Sequence, residues 1–442
     1  MLGCVPAPTR TSPLLIDVKP GERTALALAF VQFACILAAY YVIRPVRDQL
    51  SAAVGSHSLP LFYAATFVAT LLLTPVFGWL VARQPRSRVV PAVYGFFIAG
   101  MLACVPLFVL QQQIGPRVLG SVFFVWVSVF NLFVVSVFWS FMADIFDPEQ
   151  ASRLFATIAI GGTAGAVAGP AIARVLVPLV GVPPLLAVSA ALLGGAVVAT
   201  FALLRWTHAR GTGARTTAAS AAVGGTALAG LRQVFAVPFL RNMALLMLLG
   251  DAIGTVLYAL LADYVKAHAA TPAARTAFYA NVDLATNVLT VALQFGLTRI
   301  LLMRLGAART LVLPYVIDAI VLAVLAFVGS PLIALTLVIT RASMYGILKP
   351  ASDSLYTRVP REWRYKGKNV VDTAVWRFGD LAITSGFNGL RALGATVSGF
   401  AVLSAFAAAG SAWCGWRAAH APGLAPDPAR VRHDQPPAEN SA

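Results

Sequence analysis

The stretch that organises this sequence reads Tyr40-Tyr41-Val42-Ile43-Arg44-Pro45-Val46-Arg47-Asp48-Gln49-Leu50. It continues an apolar run from Thr24 to Ile43 that, at about 1.5 Å per helical residue, is long enough to cross a bilayer. Two arginines and an aspartate therefore stand at or just inside one end of a predicted membrane helix. Each such charge costs about 2.5–3.5 kcal/mol on insertion scales, so their presence requires an explanation.

The charged residues of this stretch share a helix face with an aromatic ring. Tyr40, Arg44 and Arg47 fall at i, i+4 and i+7, and Pro45 removes a backbone donor and is expected to bend the helix. One interpretation is an anion-recognition face that lines a solvated cavity, with the tyrosine ring available for stacking. The alternative is a helix end whose arginines snorkel to lipid phosphates. A snorkelling end explains neither Asp48 nor the proline, which favours the first interpretation.

The composition is that of a polytopic membrane protein. Of 442 residues, 59% are hydrophobic and 11% are charged, whereas about a quarter of the residues of soluble domains are charged. The net charge of +16 is therefore interpreted through membrane topology, and we expect no nucleic-acid partner. The cysteines and histidines lack ligand spacing, so no disulfide framework, metal or cofactor is expected.

Apolar segments long enough to span a membrane recur along the whole chain. They cover residues 24–43, 59–81, 89–110, 118–141, 155–176, 183–204, 242–262, 278–302, 310–329, 331–349, 369–390 and 397–416. The predicted fold is an all-α polytopic membrane protein with twelve transmembrane helices. The long polar interruption after the sixth segment divides the spans into two sets of six and indicates an internal duplication.

The predicted domains follow from this division. They are a cytoplasmic N-terminal segment 1–23, a first six-helix bundle 24–204, a cytoplasmic linker 205–241, a second six-helix bundle 242–416 and a disordered tail 417–442. Lysine and arginine are concentrated in the loops on the side of the two termini, which places both termini in the cytoplasm. Five basic residues lie in or next to the spans instead: Arg44, Arg47, Arg341, Lys349 and Arg377.

Further polar side chains recur at helical spacing inside the later spans, where lipid exposure would be costly. The eighth span carries Asp283, Asn287, Thr290 and Gln294 as one polar stripe, which is either part of a solute site or a set of interhelical hydrogen bonds. Arg377 and Asp380 are spaced for a structural ion pair. In the fifth span, glycines four residues apart, among them Gly161, Gly165 and Gly169, favour close helix packing.

Several motifs resemble those of a known transporter superfamily. The loop from Gly78 to Arg88, a glycine followed by a tight basic turn, resembles the signature between the second and third helices of the major facilitator superfamily. More specifically, the chain looks like the ATP/ADP (NTP/NDP) translocase-like family of that superfamily. The segments that carry this resemblance are Arg44-Pro45-Val46-Arg47-Asp48, Phe138-Trp139-Ser140-Phe141, Lys349 to Tyr356 and Tyr365-Lys366-Gly367-Lys368-Asn369.

The resemblance implies a fold of two six-helix bundles and the exchange of nucleotides. It places Arg47 at the essential basic position of the first helix, and Lys366 and Lys368 in the basic run before the eleventh. The sequence departs from the family in two places. The acidic residue of the fourth helix has no counterpart, with Asn131 among the nearest polar groups, and Asp251 matches the acidic residue of the seventh helix only about a turn away.

We therefore expect a secondary active transporter of an organic anion, most of all nucleotide exchange of the ATP/ADP type, in a bacterial inner membrane. The alternative is a proton-coupled major facilitator carrier of another small solute. No nucleotide-binding P-loop, metal motif or nucleophile elbow occurs, so an enzyme is not expected. Asp251 and Asp283 would balance the positive field or bind a co-transported proton. Unpaired positive charges in the empty cavity would disfavour return without cargo.

The candidate substrate-binding residues share an intramembrane position and polar or aromatic character. They are Tyr40, Arg44, Arg47, Asp48, Asn131, Asp251, Asp283, Asn287, Arg341, Tyr345, Lys349, Asp372, Trp376 and Arg377.

Overall fold

A computed structural model describes residues 18–19, 21–83, 86–209, 227–360, 371 and 376–424. Within these ranges every regular element is helical. We number the long helices α1 (Arg23–Val54), α2 (Leu59–Arg83), α3 (Arg86–Val109), α4 (Pro116–Ile145), α5 (Pro148–Val180), α6 (Pro183–Ala209), α7 (Pro238–His268), α8 (Pro272–Leu293), α9 (Arg299–Val328), α10 (Ile333–Ser343, continued by Lys349–Tyr356), α11 (Trp376–Ala392) and α12 (Val397–Ala419).

Shorter elements connect the long helices. Two π-helical turns, Gln294–Thr298 and Met344–Leu348, lie between α8 and α9 and inside α10. A short helix, Ala227–Ala236, precedes α7.

Eleven of the twelve predicted spans lie wholly or mostly in described stretches that could cross a membrane. Ten stretches are long and apolar enough to cross a membrane. One of them, Pro272–Val328, has 57 residues and changes direction at Gly306, whose φ of 74° and ψ of 170° interrupt α9. That stretch corresponds to two of the predicted spans, and the predicted eleventh span, 369–390, is described only in part. The prediction of an all-α polytopic membrane protein is confirmed.

The helix boundaries differ from the apolar segments in instructive ways. The first segment ends at Ile43 by composition, but α1 continues to Val54, so Arg44 and Arg47 lie inside the helix and not at its end. The predicted linker 205–241 contains the end of α6 and the start of α7. Residues 210–226 and 425–442 lie outside the described part, and the predicted bounds of the two bundles remain predictions.

Buried apolar side chains form two clusters. One belongs to α1–α6, where the rings of Phe33 and Phe138 stack with centroids 4.4 Å apart. The other belongs to α7–α12 but also includes Ala52, Leu59 and Phe62. The first half therefore packs on the second where α1 ends and α2 begins.

Helix α1 lies at the centre of this arrangement, since it contacts α4, α5 and α6 of its own half and α7 and α8 of the other. Glycines of α5 allow the closest of these approaches. A Cβ atom on Gly161 or Gly165 would meet the backbone of Phe30 or Ala34, and one on Gly169 would lie 2.6 Å from Tyr41 Cβ. The close packing predicted from the glycine spacing is confirmed.

Polar contacts join the two halves at the end of α1. We call this group the Asp263 cluster: Ser56, Asp263, Asn388 and Arg391. The Ser56 amide donates to Asp263 Oδ1 at 2.9 Å, and Arg391 forms an ion pair with the other oxygen of that carboxylate. Arg391 also donates to Ser56 Oγ at 3.3 Å, and the Asn388 amide donates to the His57 carbonyl at 3.2 Å. The α1–α2 connection is thereby tied to the ends of α7 and α11.

The opposite end of α1 is held within its own half. Glu22, which is buried, accepts hydrogen bonds from Arg153 of α5 at 3.0 and 3.2 Å and from the Gln150 side chain at 3.0 Å. The hydrogen bond from Arg153, with further donation from Gln150 and the Lys19 amide, lowers the pKa of Glu22 from 4.5 to about 2.

Candidate functional site

The two arginines of α1 lie in the interior, between the halves of the molecule. Their side chains are 15% (Arg44) and 12% (Arg47) exposed, and that of Asp48 is 2% exposed. Helix α1 continues for another turn or more past these residues, and α7 and α8 cover it from the second half. The snorkelling alternative requires guanidinium groups at a membrane surface, and this burial disfavours it.

Each arginine is held by a carboxylate. Arg47 donates from Nε to Asp48 Oδ1 at 2.8 Å, and its Nη2 lies 2.7 Å from the same oxygen. Arg44 Nη1 lies 3.3 Å from Asp283 Oδ1 on α8, and its Nε lies 3.9 Å from Asp48 Oδ2. Two positive and two negative groups thus balance, as buried charges must. The Arg44–Asp283 pair also connects the two halves.

A second connection between the halves runs through Tyr258 of α7. Its hydroxyl donates to Asp48 Oδ1 at 2.8 Å, and the Arg341 guanidinium lies 5.6 Å from the centre of its ring. Tyr258 therefore bridges the α1 carboxylate and the α10 arginine, by a charge-assisted hydrogen bond on one side and a cation–π contact on the other.

Aromatic rings surround the guanidinium groups. Arg44 lies 5.5 Å from the ring centre of Tyr41, and Arg47 lies 4.7 Å from that of Phe124. Tyr40 stands edge-on to Tyr41 with centroids 5.1 Å apart. Rings at this distance from cations offer faces on which a planar group can stack.

Tyr345 marks open space beside this group. Its side chain is 47% exposed, yet it lies within electrostatic range of Arg44, Arg341 and Tyr40. An exposed ring this close to a buried charge network is accessible to a solute. Asp251 is also within electrostatic range of Tyr345, and the Oδ2 atom of Asp251 lies beside Gly379 of α11.

The central group that the structure brings together consists of Tyr40, Tyr41, Arg44, Arg47, Asp48, Asp251, Tyr258, Asp283, Arg341 and Tyr345.

Other candidate residues have different surroundings. The Asn287 amide donates to the Ala166 carbonyl of α5 at 2.5 Å, which is an interhelical hydrogen bond between the halves. Lys349 lies beyond the π-helical turn and pairs with Asp353 at 3.8 Å. Asn131 is half-buried on α4 and makes no side-chain hydrogen bond to another described residue.

Several predictions fall outside what the structure describes. Asp372 and the basic run with Lys366 and Lys368 are not among the described residues, and neither are the side chains of Trp376 and Arg377. The predicted pairing of Arg377 with Asp380 therefore stays a prediction. Asp380 itself is buried and accepts a hydrogen bond from Thr255 at 3.2 Å. The structure does not describe the side chains of residues 76–86 either, and this range includes most of the basic turn between α2 and α3.

Two residues were not among the sequence candidates although a signal existed. Tyr258 falls one turn after Thr255 on the polar face that begins at Asp251, but its ring and hydroxyl suit a packed core equally well. Asp318 is an acidic residue inside the ninth apolar segment, which by itself indicates a function. It lines the same pocket as Arg341.

Comparison with known proteins places the fold. No protein-family model matches the sequence, and no curated protein does. Solved structures of membrane transporters match along most of the chain. A bacterial homologue of the human lysosomal transporter Spinster, in an inward-facing and unoccupied conformation, has 14% identity and a TM-score of 0.58 over 96% of this chain and 100% of its own.

Two further matches are of the same quality. A bacterial homologue of the iron transporter ferroportin, inward-facing, has 17% identity and a TM-score of 0.58 over 90% of this chain and 98% of its own. The nucleoside transporter NupG has 14% identity and a TM-score of 0.58 over 90% and 98%. The chain has the major facilitator fold. Identity this low shows the fold alone, and the resemblance to the ATP/ADP translocases stays a prediction.

Proposed function

We propose that this protein is a secondary active transporter that carries an organic anion across the membrane by alternating access, and that it exchanges nucleotides of the ATP/ADP type. The observation that carries the proposal is the pair Arg44 and Arg47, buried between the two halves and held by carboxylates from both of them. The transporter fold supports it, and so does the presence of a nucleoside transporter among the structures that match.

The arginines suit phosphate because a guanidinium group offers several donors in a fixed plane, which match phosphate oxygens in pairs. An entering phosphate competes with Asp283 for Arg44. Because Asp283 belongs to the other half, this competition weakens a contact that holds the halves together. Anion binding is thereby linked to the relative position of the halves, as alternating access requires.

The same network gives a physical reason for exchange. The sequence led us to expect unpaired positive charges in the empty cavity, but Asp48 and Asp283 neutralise them. The barrier to return without cargo then has another origin: without an anion, the Arg44–Asp283 and Tyr258–Asp48 contacts keep the halves together on the side of the Asp263 cluster. An anion that replaces the carboxylates lowers that barrier in both directions.

The aromatic residues support a nucleotide among organic anions. Tyr40 and Tyr41 flank the arginines, and the exposed ring of Tyr345 is accessible to a solute. A phosphate on the guanidinium groups would leave the base within reach of these rings, where stacking contributes about 1–3 kcal/mol per base.

Proton-coupled transport of another anionic solute is the second candidate. It is favoured by Asp283, whose Oδ2 is buried without a hydrogen-bond partner. When a cargo anion replaces this carboxylate at Arg44, Asp283 becomes a buried charge without a cation, and uptake of a proton removes the cost of that charge. In this case the anion and the proton move together.

Uptake into proteoliposomes separates the two candidates. Purified protein is reconstituted with or without internal ADP, and labelled ATP is added outside, with and without a pH gradient. Exchange predicts uptake that requires internal ADP and is lost in Arg44→Gln and Arg47→Gln, but kept in Arg205→Gln, an exposed arginine at the end of α6. Uptake driven by the pH gradient with empty vesicles would support proton coupling. No uptake of ATP under either condition would refute nucleotide transport.

A further inference from the structure

A buried carboxylate lies in α9, away from the anion-binding arginines of α1. Asp318 is 4% exposed and faces a pocket between α7, α9 and α10. Gly250 and Gly254 line it on the α7 side: nothing lies within 4 Å of a Cβ atom at Gly254, whereas a Cβ atom at Gly250 would meet the Tyr315 hydroxyl. The lining is apolar apart from a few groups near the carboxylate, among them Thr340 and Arg341.

Among the residues that the structure describes, Ser343 is the one that hydrogen-bonds to this carboxylate. Ser343 Oγ lies 3.1 Å from Asp318 Oδ1 and 3.0 Å from the Thr340 carbonyl oxygen, so its single hydroxyl proton can serve only one of the two acceptors. Asp318 forms no ion pair with any described residue. It thus differs from Asp48 and Asp283, whose charges are matched by arginines. An ionised carboxylate in such surroundings is costly, and protonation removes the cost.

We propose that Asp318 is a proton-binding site, separate from the anion site, and that its protonation is transmitted to α10 through Ser343. With a proton on Asp318, the carboxyl group donates to Ser343 Oγ, and the serine hydroxyl donates to the Thr340 carbonyl. When the proton leaves, the hydroxyl turns to the carboxylate and releases the carbonyl. The hydrogen bonding of α10 therefore changes with the state of Asp318.

This change occurs beside a residue of the central group. Arg341 lies two positions before Ser343, and the π-helical turn Met344–Leu348 starts directly after Ser343. A π-helical turn breaks the regular i to i−4 pattern, so the helix can shift there at lower cost. The physiological meaning of the shift, coupling of a proton to anion movement, rests on the proposed function, whereas proton binding itself does not.

The groups around Asp318 come from each packed helix. Arg341 of α10 lines the same pocket, and its charge favours the ionised carboxylate. Tyr315 of α9 donates to the Leu246 carbonyl at 3.3 Å and is within electrostatic range of Asp251 on α7 and Cys414 on α12. Tyr315 is also within electrostatic range of Asp318 itself.

Infrared difference spectroscopy tests the site without any cargo. Spectra of the purified full-length protein are taken as the pH is changed in steps, and the C=O band of protonated carboxyl groups is followed. We expect a titrating band that is lost in Asp318→Asn and retained in Asp353→Asn, a half-exposed carboxylate of α10 that pairs with Lys349. An identical band in Asp318→Asn would overturn the proposal.

A second variant covers the case in which Asp318→Asn does not fold. Ser343→Ala keeps the carboxyl group but removes its hydrogen bond, so the band is expected to persist at a changed frequency. An unchanged frequency would contradict the contact. Coupling is tested by the pH dependence of ATP-induced thermal stabilisation, which should flatten in Asp318→Asn; unchanged dependence would overturn coupling while leaving both sites intact.

Discussion

Arg47 and Asp48 are neighbours in sequence and form the tightest ion pair of the central group, with atoms 2.7 Å apart. Arg47→Ala leaves Asp48 buried with the Tyr258 hydroxyl and a distant Arg44 nitrogen as its remaining partners. We expect a loss of stability of about 3–5 kcal/mol, as for other broken buried pairs. The double variant Arg47→Ala/Asp48→Ala should regain much of that loss. Thermal unfolding in detergent measures both.

The control for this prediction is Arg205→Ala, which should not change the melting temperature. If the double variant is less stable than Arg47→Ala, the two residues do not compensate each other. In that case the assignment of Asp48 as the counter-charge of Arg47 is wrong.

The Glu22–Arg153 contact predicts a pH dependence at the start of α1. The pKa of Glu22 is lowered from 4.5 to about 2 in the folded protein, mainly by the Arg153 hydrogen bond. A lowered pKa means that the contribution to stability is complete above pH 4.5 and is lost as the pH falls towards 2. Wild-type protein should therefore have a higher melting temperature than Glu22→Gln at neutral pH, and the difference should shrink below pH 4.5. A difference that is constant over this range would contradict the assignment.

Sequence reasoning identifies residues at this scale when the signal lies within one helix. Arg44 and Arg47 are recognisable because charges interrupt an apolar run, and Asp283 for the same reason. The bridging role of Tyr258 is not recognisable, because its partner Asp48 is 210 residues away and only the folded chain brings the two together. Asp318 meets the same criterion as Asp283, since it is an acidic residue inside an apolar segment.

At the scale of helices, composition located the spans but not their ends. Helix α1 passes through Arg44, Pro45 and Arg47 to Val54, because protein and not lipid surrounds its second half. An apolar run marks only the part of a helix that lipid or an apolar core contacts, so a central helix is longer than its run. Between the eighth and ninth spans the helical stretch continues where the apolar residues are interrupted, and the change of direction depends on Gly306.

The packing of α1 on α5 depends on glycines and yields a prediction for one element. A Cβ atom at Gly165 would collide with the Ala34 backbone, whereas nothing lies within 4 Å of a Cβ atom at Gly194 of α6. Gly165→Ala should cost about 1–3 kcal/mol because α1 must move away, and Gly194→Ala should not destabilise the protein. The measurement is the melting temperature and the fraction of monodisperse protein after purification. Equal behaviour of the two variants would refute the close α1–α5 contact.

At the scale of the whole molecule, the Asp263 cluster joins the two halves where α1 ends and α2 begins. Arg391→Ala removes the ion pair to Asp263 and the hydrogen bond to Ser56. We expect the halves to separate there in part of the population. Spin labels at His57 and Ala270, exposed residues in the two halves, report this as an added longer distance. Arg205→Ala serves as the control, and an unaltered distance distribution in Arg391→Ala would show that the cluster does not hold the halves together.

The overall architecture was predictable because apolar runs, basic loops and a repeated six-span pattern are spread over the whole chain and do not depend on single contacts. The cargo could not be predicted from the sequence in the same way. It depends on which charges meet across the two halves, and the pairing of Arg44 with Asp283 replaced the unpaired cations that the sequence suggested.

The most direct test of the account is the binding of ATP to purified protein, measured as thermal stabilisation at low and high salt. The account predicts that ATP raises the melting temperature of the wild-type protein and of Arg205→Gln, less so at high salt. It predicts little or no rise in Arg44→Gln and Arg47→Gln, because the buried guanidinium groups bind the phosphates. Equal stabilisation of all four proteins by ATP, or none in the wild type, would contradict the claim that these arginines form a nucleotide site.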